Sequence, residues 1–205
     1  MASAASLSRF SQDMFRAITT TGFGLASSNK FEVDFPNITG MTKPNGGSVK
    51  NPATGDQRQV FCTAANIPGK TINTVERVVG NEKRQIANGQ DLGTCSFSFY
   101  LDNSYSMRHY FYEWMNAVHI QDDTRDGLVQ YLGYYDNYAF GRNIKVKQYT
   151  KNGRKAYSCK LIDCFPLSVN VIELNNQLSS QASEMTVTIA YRTWWGNQDK
   201  PSGSF

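Results

Sequence analysis

The sequence predicts a mainly β protein, an antiparallel sandwich or open barrel with one long flanking α-helix. Three observations carry that expectation. Aromatic side chains make up 13% of the 205 residues, with eleven Tyr and twelve Phe, and such side chains favour half-buried pleated surfaces where they pack on cross-strand neighbours. Short runs of period-two alternation recur along the chain, whereas one internal stretch repeats strongly at helical spacing. The βαβ alternation needed for a parallel sheet is scarce, which leaves about seven strands joined mainly as antiparallel neighbours.

Bulk properties set the remaining limits. With 40% apolar residues, the chain can bury a core of ordinary size, and one domain is the default. A net charge of +4 is mild; it leaves a polyanionic partner open without requiring one. No apolar run approaches the roughly 20 residues that span a bilayer. Arg9, Asp13 and Arg16 interrupt the one candidate segment near the N-terminus, so neither export nor insertion is expected. Cys62, Cys95, Cys159 and Cys164 form no C-x-x-C pair and are read as reduced core residues made in a cytoplasm.

Residues 1–28 are expected to form an N-terminal extension with a short docking helix, because Leu7, Phe10, Met14, Ala17 and Ile18 recur at helical spacing. The main domain is placed at 29–195. It opens with a strand in which Phe31, Val33 and Phe35 alternate with Glu32 and Asp34, stopped by Pro36. Residues 37–58 are read as a long loop, rich in Gly and Pro. Loops longer than about 15 residues usually bind something or are ordered by a neighbour, so Asn37, Gly46, Gly47 and Gly55 are candidate subunit contacts.

Val60, Cys62 and Ala64 resume the alternation, and Pro68-Gly69 marks a turn before a strand from Ile72 to Val79. The polar stretch 80–93 is read as the return arm of a protruding hairpin, with Arg77, Lys83 and Arg84 as further candidate contacts. Thr94–Leu101 alternates cleanly and puts Cys95, Phe97, Phe99 and Leu101 on one face. Asp102, Asn103 and Ser104 supply cap chemistry for a helix over 104–118, whose stripe holds Met107, Tyr110, Phe111, Trp114, Met115 and Val118. That stripe is expected to pack on the sheet as core.

Beyond a tyrosine-rich connection at 131–138, Asn152-Gly153 between two alternating runs signals a two-residue type I′ hairpin and adds two more candidate contacts. Phe165-Pro166 is read as the end of the second arm. Glu184–Arg192 supplies a last alternating strand, with Met185, Val187, Ile189 and Tyr191 on one face, and 196–205 is expected to be a flexible tail.

Catalytic chemistry is hard to find. His109 and His119 are ten residues apart, in and just after the same helix, and are not expected to share a metal. Cys159 and Cys164, five apart on a presumed strand, should point to opposite faces. Asp122, Asp123 and Asp126 lack the Gly and distal Glu of a calcium loop and are read as a solvated helix-to-strand connection. Neither the phosphate-binding loop, the serine-nucleophile elbow nor the zinc-protease pattern is present. No enzyme, cofactor or metal is therefore expected. One basic cluster stands out: Arg142, Lys145, Lys147, Lys151, Arg154, Lys155 and Lys160, interleaved with Tyr149 and Tyr157. Such a pattern can bind phosphates and stack bases; the preferred reading is edge lysines that prevent unwanted strand pairing.

Taken in order, these landmarks resemble the tail tube family of contractile-tailed bacteriophages and the related tubes of bacterial injection machines. They are Phe31 and Val33; Phe61, Cys62 and Ala64 with Pro68; Phe99 before a helix carrying Arg108, Phe111 and Trp114; then Phe165-Pro166, Leu174, Tyr191 and Trp194. The resemblance implies a β-sandwich protomer, six of which form a ring with a continuous inner β-barrel. It also implies stacked rings, a contractile sheath, baseplate hub and tape measure protein as partners, and DNA passing through the lumen without specific binding. Such a protein would reside in the virion tail. A baseplate protein that starts the tube and a small basic nucleic-acid-binding module are the competing readings. Because tight phosphate binding would stall a moving polyanion, the lysine hairpin is expected to face outward or into a subunit interface.

Overall fold

The computed structural model describes residues 28–52, 61–124, 127–150, 153–172 and 182–196. The expected N-terminal helix, Gly55, Asp126, Asn152 and most of the C-terminal tail lie outside these segments. The described residues form twelve strands and two helices. The strands are β1 (Phe31–Asp34), β2 (Cys62–Ala65), β3 (Thr71–Val79), β4 (Glu82–Asp91), β5 (Cys95–Tyr100), β6 (His119–Thr124), β7 (Gly127–Leu132), β8 (Ile144–Tyr149), β9 (Lys155–Ile162), β10 (Phe165–Val169), β11 (Glu184–Ala190) and β12 (Thr193–Gly196). The helices are α1 (Ser106–Val118) and α2 (Tyr135–Tyr138).

Two four-stranded antiparallel sheets enclose the core, one in the order β1-β8-β9-β12 and the other β10-β11-β5-β2. The alternation explains why they pack face to face. On the first sheet, Val33, Ile144, Val146, Cys159 and Leu161 point inward; on the second, Cys95, Phe97, Phe99, Met185, Val187 and Ile189 do. Phe35, just past β1, joins both sheets to α1: its ring lies 5.4 Å from Phe97, 5.5 Å from Phe99 and 5.8 Å from Phe111. The architecture is a sandwich of two separate sheets.

Helix α1 buries Met107, Tyr110, Phe111, Trp114 and Ala117. The stripe runs along the expected face, but Ala117 takes the last buried place while Met115 and Val118 are only half-buried. Two hydrogen bonds fix its rotation: the Trp114 indole N–H donates to the Tyr138 carbonyl (2.9 Å) and the Tyr110 hydroxyl donates to the Pro36 carbonyl (2.6 Å). The start is tied down one step before the helix. Tyr105 adopts φ +53°, and Asp102 accepts the Ser106 N–H (2.9 Å) and the Ser104 hydroxyl. Burial pushes the Asp102 carboxyl up, but these donors outweigh it and hold it below its ordinary value.

Several expectations need correction. The region 119–132 is not a plain connection: β6 and β7 pair as an antiparallel hairpin from His119↔Leu132 to Thr124↔Gly127. Asp122 and Asp123 therefore occupy a strand. Its return leg ends at Gly133, whose N–H donates to Val118 (2.7 Å). A Cβ there would sit 2.3 Å from the Ala117 carbonyl oxygen, so only glycine fits this close approach.

The expected Asn152-Gly153 turn lies partly outside the described residues. Beside it, Gly153 N–H donates to the Thr150 carbonyl (3.0 Å), Thr150 N–H donates to the Arg154 carbonyl (2.8 Å), and Gly153 takes the left-handed φ +76°. Phe165 and Pro166 begin strand β10 instead of ending β9, and Pro166 is tolerated because β10 is an edge strand. Cys159 and Cys164 do not diverge, since β9 stops at Ile162 and Asp163 turns the chain at φ +52°, which brings both thiols into the one core.

Candidate assembly surfaces

The hairpin β3–β4 stands apart from the sandwich. Its nine pairs run from Thr71↔Asp91 to Val79↔Glu82 with a bulge after Asn73, and every residue of both strands is exposed. Ile72, Val75, Val78, Val79 and Ile86 remain between 45% and 62% accessible. Arg77 and Arg84 face each other across the ribbon, Lys83 pairs with Glu76 (2.9 Å), and Arg84 pairs with Glu82 (2.9 Å). Surface ion pairs of this kind contribute little, and a lone two-stranded ribbon is marginal in water. The ribbon's β-branched side chains have no core of their own.

Part of the long loop folds against the domain. Ile38, Met41 and Val49 are buried, Thr42 bridges Ser48, Lys43 pairs with Glu113 (3.1 Å), and Lys50 N–H donates to the same carboxylate (3.3 Å). Asn37 belongs to this packed base: its carbonyl accepts from Arg142 (2.8 Å) and its side chain from Thr39 and Asn51 (2.9 Å each). Gly46 and Gly47 form an exposed turn with Gly46 at φ +89°. Gly153 is likewise exposed. Of the landmark residues, Val33, Phe99, Phe111 and Trp114 are fully buried, Tyr191 is nearly so, and Phe31, Phe61 and Trp194 pack partly on the core. Phe165 lies outside it, 5.3 Å from Tyr138 and 6.5 Å from Tyr135.

Each sheet has two margins with no further strand among the described residues. On the second sheet both are irregular, with Pro166 and a register shift in β10 and a shift between Cys62 and Ala64 in β2. Such features blunt an edge. The margins β1 and β12 of the first sheet are regular.

The outward faces of the two sheets differ in chemistry. Across the first run the direct partners Asp34, Lys145, Lys160 and Trp195, with Glu32, Lys147 and Ser158 in the next row. Lys147 is neutralised by Asp34 (2.8 Å) and Glu32 (3.5 Å), and the Asp34 hydrogen bond raises its pKa. Among the described residues, the ion pairs leave Lys145, Lys155 and Lys160 unneutralised. Across the second sheet run Ser168, Thr188 and Ser96, then Thr186, Ser98 and Ala64, with the Ser98 and Thr186 hydroxyls 3.1 Å apart. Glu184 carries the one charge in those four strands.

The sequence gives little hint of the fastener that joins the turns at one end of the sandwich. Asp163, almost fully buried, accepts the Gly141 N–H (2.9 Å) and the Arg192 Nε–H (2.7 Å). The thiols are inert by environment: burial pushes Cys95 up to about 11 and Cys62, Cys159 and Cys164 up to about 12. Among the described residues no group of three His, Cys, Asp or Glu is arranged to hold a metal, and no helix is long and apolar enough to cross a membrane.

Among the described residues, the sandwich thus presents open sheet margins, an exposed ribbon and two chemically distinct faces. A family model described as phage tail tube protein matches residues 26–197, and the chain belongs to that family. Its fold is shared with a protein in the extended sheath–tube complex of an extracellular contractile injection system, PVC (10% identity, 89% of this chain and 95% of that one, TM-score 0.56). It is shared too with one in the six-fold symmetrised baseplate of the anti-feeding prophage (12%, 86% and 97%, 0.55), and with one in that particle's tube-terminating cap (16%, 87% and 97%, 0.54). No curated protein matches the chain.

Proposed function

We propose that this chain is the repeating protomer of the inner tube of a contractile phage tail. Copies join head to tail around a rotation axis, six to a ring, and rings stack into a hollow cylinder that pierces the host envelope and conducts DNA. Pairing between copies at margins other than β12 satisfies their open backbone groups and covers the β3–β4 ribbon. Sheath, baseplate hub and tape measure protein are the partners such a tube requires.

The observation that supports this reading best is the contrast between the two outward faces. A channel for DNA works best with a wet, uncharged lining, since each lysine contact adds counterion-release affinity and slows the moving polymer. The hydroxyl rows of Ser96, Ser98, Thr186 and Thr188 fit the lumen, and the lysine rows fit the outside or a subunit interface. Negative-stain electron microscopy of the concentrated full chain tests the assembly. Rings or hollow filaments are expected, and dispersed monomers in the presence of baseplate would overturn it. Copy number in the particle separates a main tube, with many rings, from a tube-initiating baseplate ring.

A further inference from the structure

Two hollows flank Trp195. One, about 440 Å³, lies over the lysine face and is lined by Lys145, Lys155, Lys160, Trp195 and Gly196 among others. The second, about 370 Å³, separates the open margin of β12 from the base of the ribbon and is lined by Lys70, Gln90, Leu92 and Thr193–Trp195. Trp195 belongs to both and is 38% exposed. Together they place a regular strand margin, an aromatic plate and five lysines, Lys147 among them, along one groove on either side of Trp195.

We propose that this groove takes an extended, carboxylate-rich segment of another protein, which adds to the first sheet as a fifth strand beside β12. A strand added there lies about 4.8 Å from β12, and its backbone satisfies the unpaired groups of that margin. Its alternate side chains stand on the outward face, in the row of Trp195, Lys160 and Lys145. Carboxylates on the added strand face Lys160, two strand spacings away across the indole, and Lys70 at the base of the ribbon, lysines that no described acid neutralises, and the alkyl parts of the segment pack on the indole. The acids Glu32 and Asp34 close the far side, where they already hold Lys147. A nucleic acid fits less well: it cannot pair with a strand margin, and those two carboxylates interrupt a continuous phosphate track. The site does not depend on ring formation.

A ten-residue peptide alternating Glu and Thr tests this on the full-length chain, read by Trp195 fluorescence with Trp195→Phe as the signal control. Saturable binding is expected, weakened at least tenfold by Lys70→Glu with Lys160→Glu and by N-methylation of the peptide backbone. Lys70→Gln with Lys160→Gln, which removes the two charges without reversing them, should show a smaller loss with unchanged circular dichroism. Charge reversal of Lys83 on the ribbon should change nothing. Binding indifferent to the lysines or to N-methylation would overturn the proposal. So would tighter binding of an oligothymidylate of equal charge through Lys70 and Lys160.

Discussion

The sandwich and the β3–β4 ribbon both carry β-branched side chains on antiparallel strands, yet only the sandwich adds aromatic rings and buries what it carries. In the sandwich every inward position of β5 and β11 is fully buried, and Phe35 joins both sheets to α1. Among the described residues the ribbon has more paired residues than any other hairpin, and none of its side chains is buried. Hydrogen-bonded pairing therefore sets the shape of a hairpin, while burial supplies its stability. On the proposed tube reading, a ribbon that no described residue covers finds its packing partner in another copy.

Breaking the sandwich should cost most. Trp114→Ala removes a fully buried indole and its bond to Tyr138, and is expected to lower the unfolding free energy by about 3–5 kcal/mol in urea titration. Gly133→Ala forces a methyl against the Ala117 carbonyl and should cost roughly 1–3 kcal/mol, as an overpacked site does. The ribbon should behave in the opposite way. Val75→Asp with Ile86→Asp alters two facing, exposed residues and should shift monomer stability by less than about 0.5 kcal/mol, while higher-order assembly seen by sedimentation is lost. A large loss of monomer stability would mean that the ribbon packs within its own chain.

The thiols give a gentler test. Their folded pKa values, about 11 for Cys95 and about 12 for Cys62, Cys159 and Cys164, exceed the usual thiol value. The stability linked to them is complete below the unfolded value near 8.5 and is lost as pH rises through 11–12. Alkylation at pH 8 should be slow in the native protein and fast in urea; rapid native labelling would show that the sandwich is looser than described.

Legibility in the sequence did not follow that divide, for the exposed ribbon was also read as a protruding hairpin, from a strand ending at Val79 and a polar return arm over 80–93. β1, β5, β11 and α1 could be read because burial on one face imposes a period on the residues, and that period survives in Phe31-Glu32-Val33-Asp34 and in the stripe from Met107 to Trp114. The β6–β7 hairpin was hidden because Asp122 and Asp123 break any apolar rhythm. The convergence of Cys159 and Cys164 depends on one left-handed residue, Asp163, which carries no mark at the level of spacing. The link between Asp163 and Arg192 joins positions 29 residues apart, and the contrast between the two outward faces appears only once register sets Lys145 beside Lys160 and Ser98 beside Thr186. The site lay in pairings between strands, which a linear pattern does not state.

Amide hydrogen exchange over β3–β4, compared between dispersed and assembled protein, bears most directly on the claim that identical copies complete these surfaces. The account predicts fast exchange at the outward-facing amides of the ribbon in the dispersed chain and strong protection once rings or filaments form. Equal exchange rates in both states would contradict it.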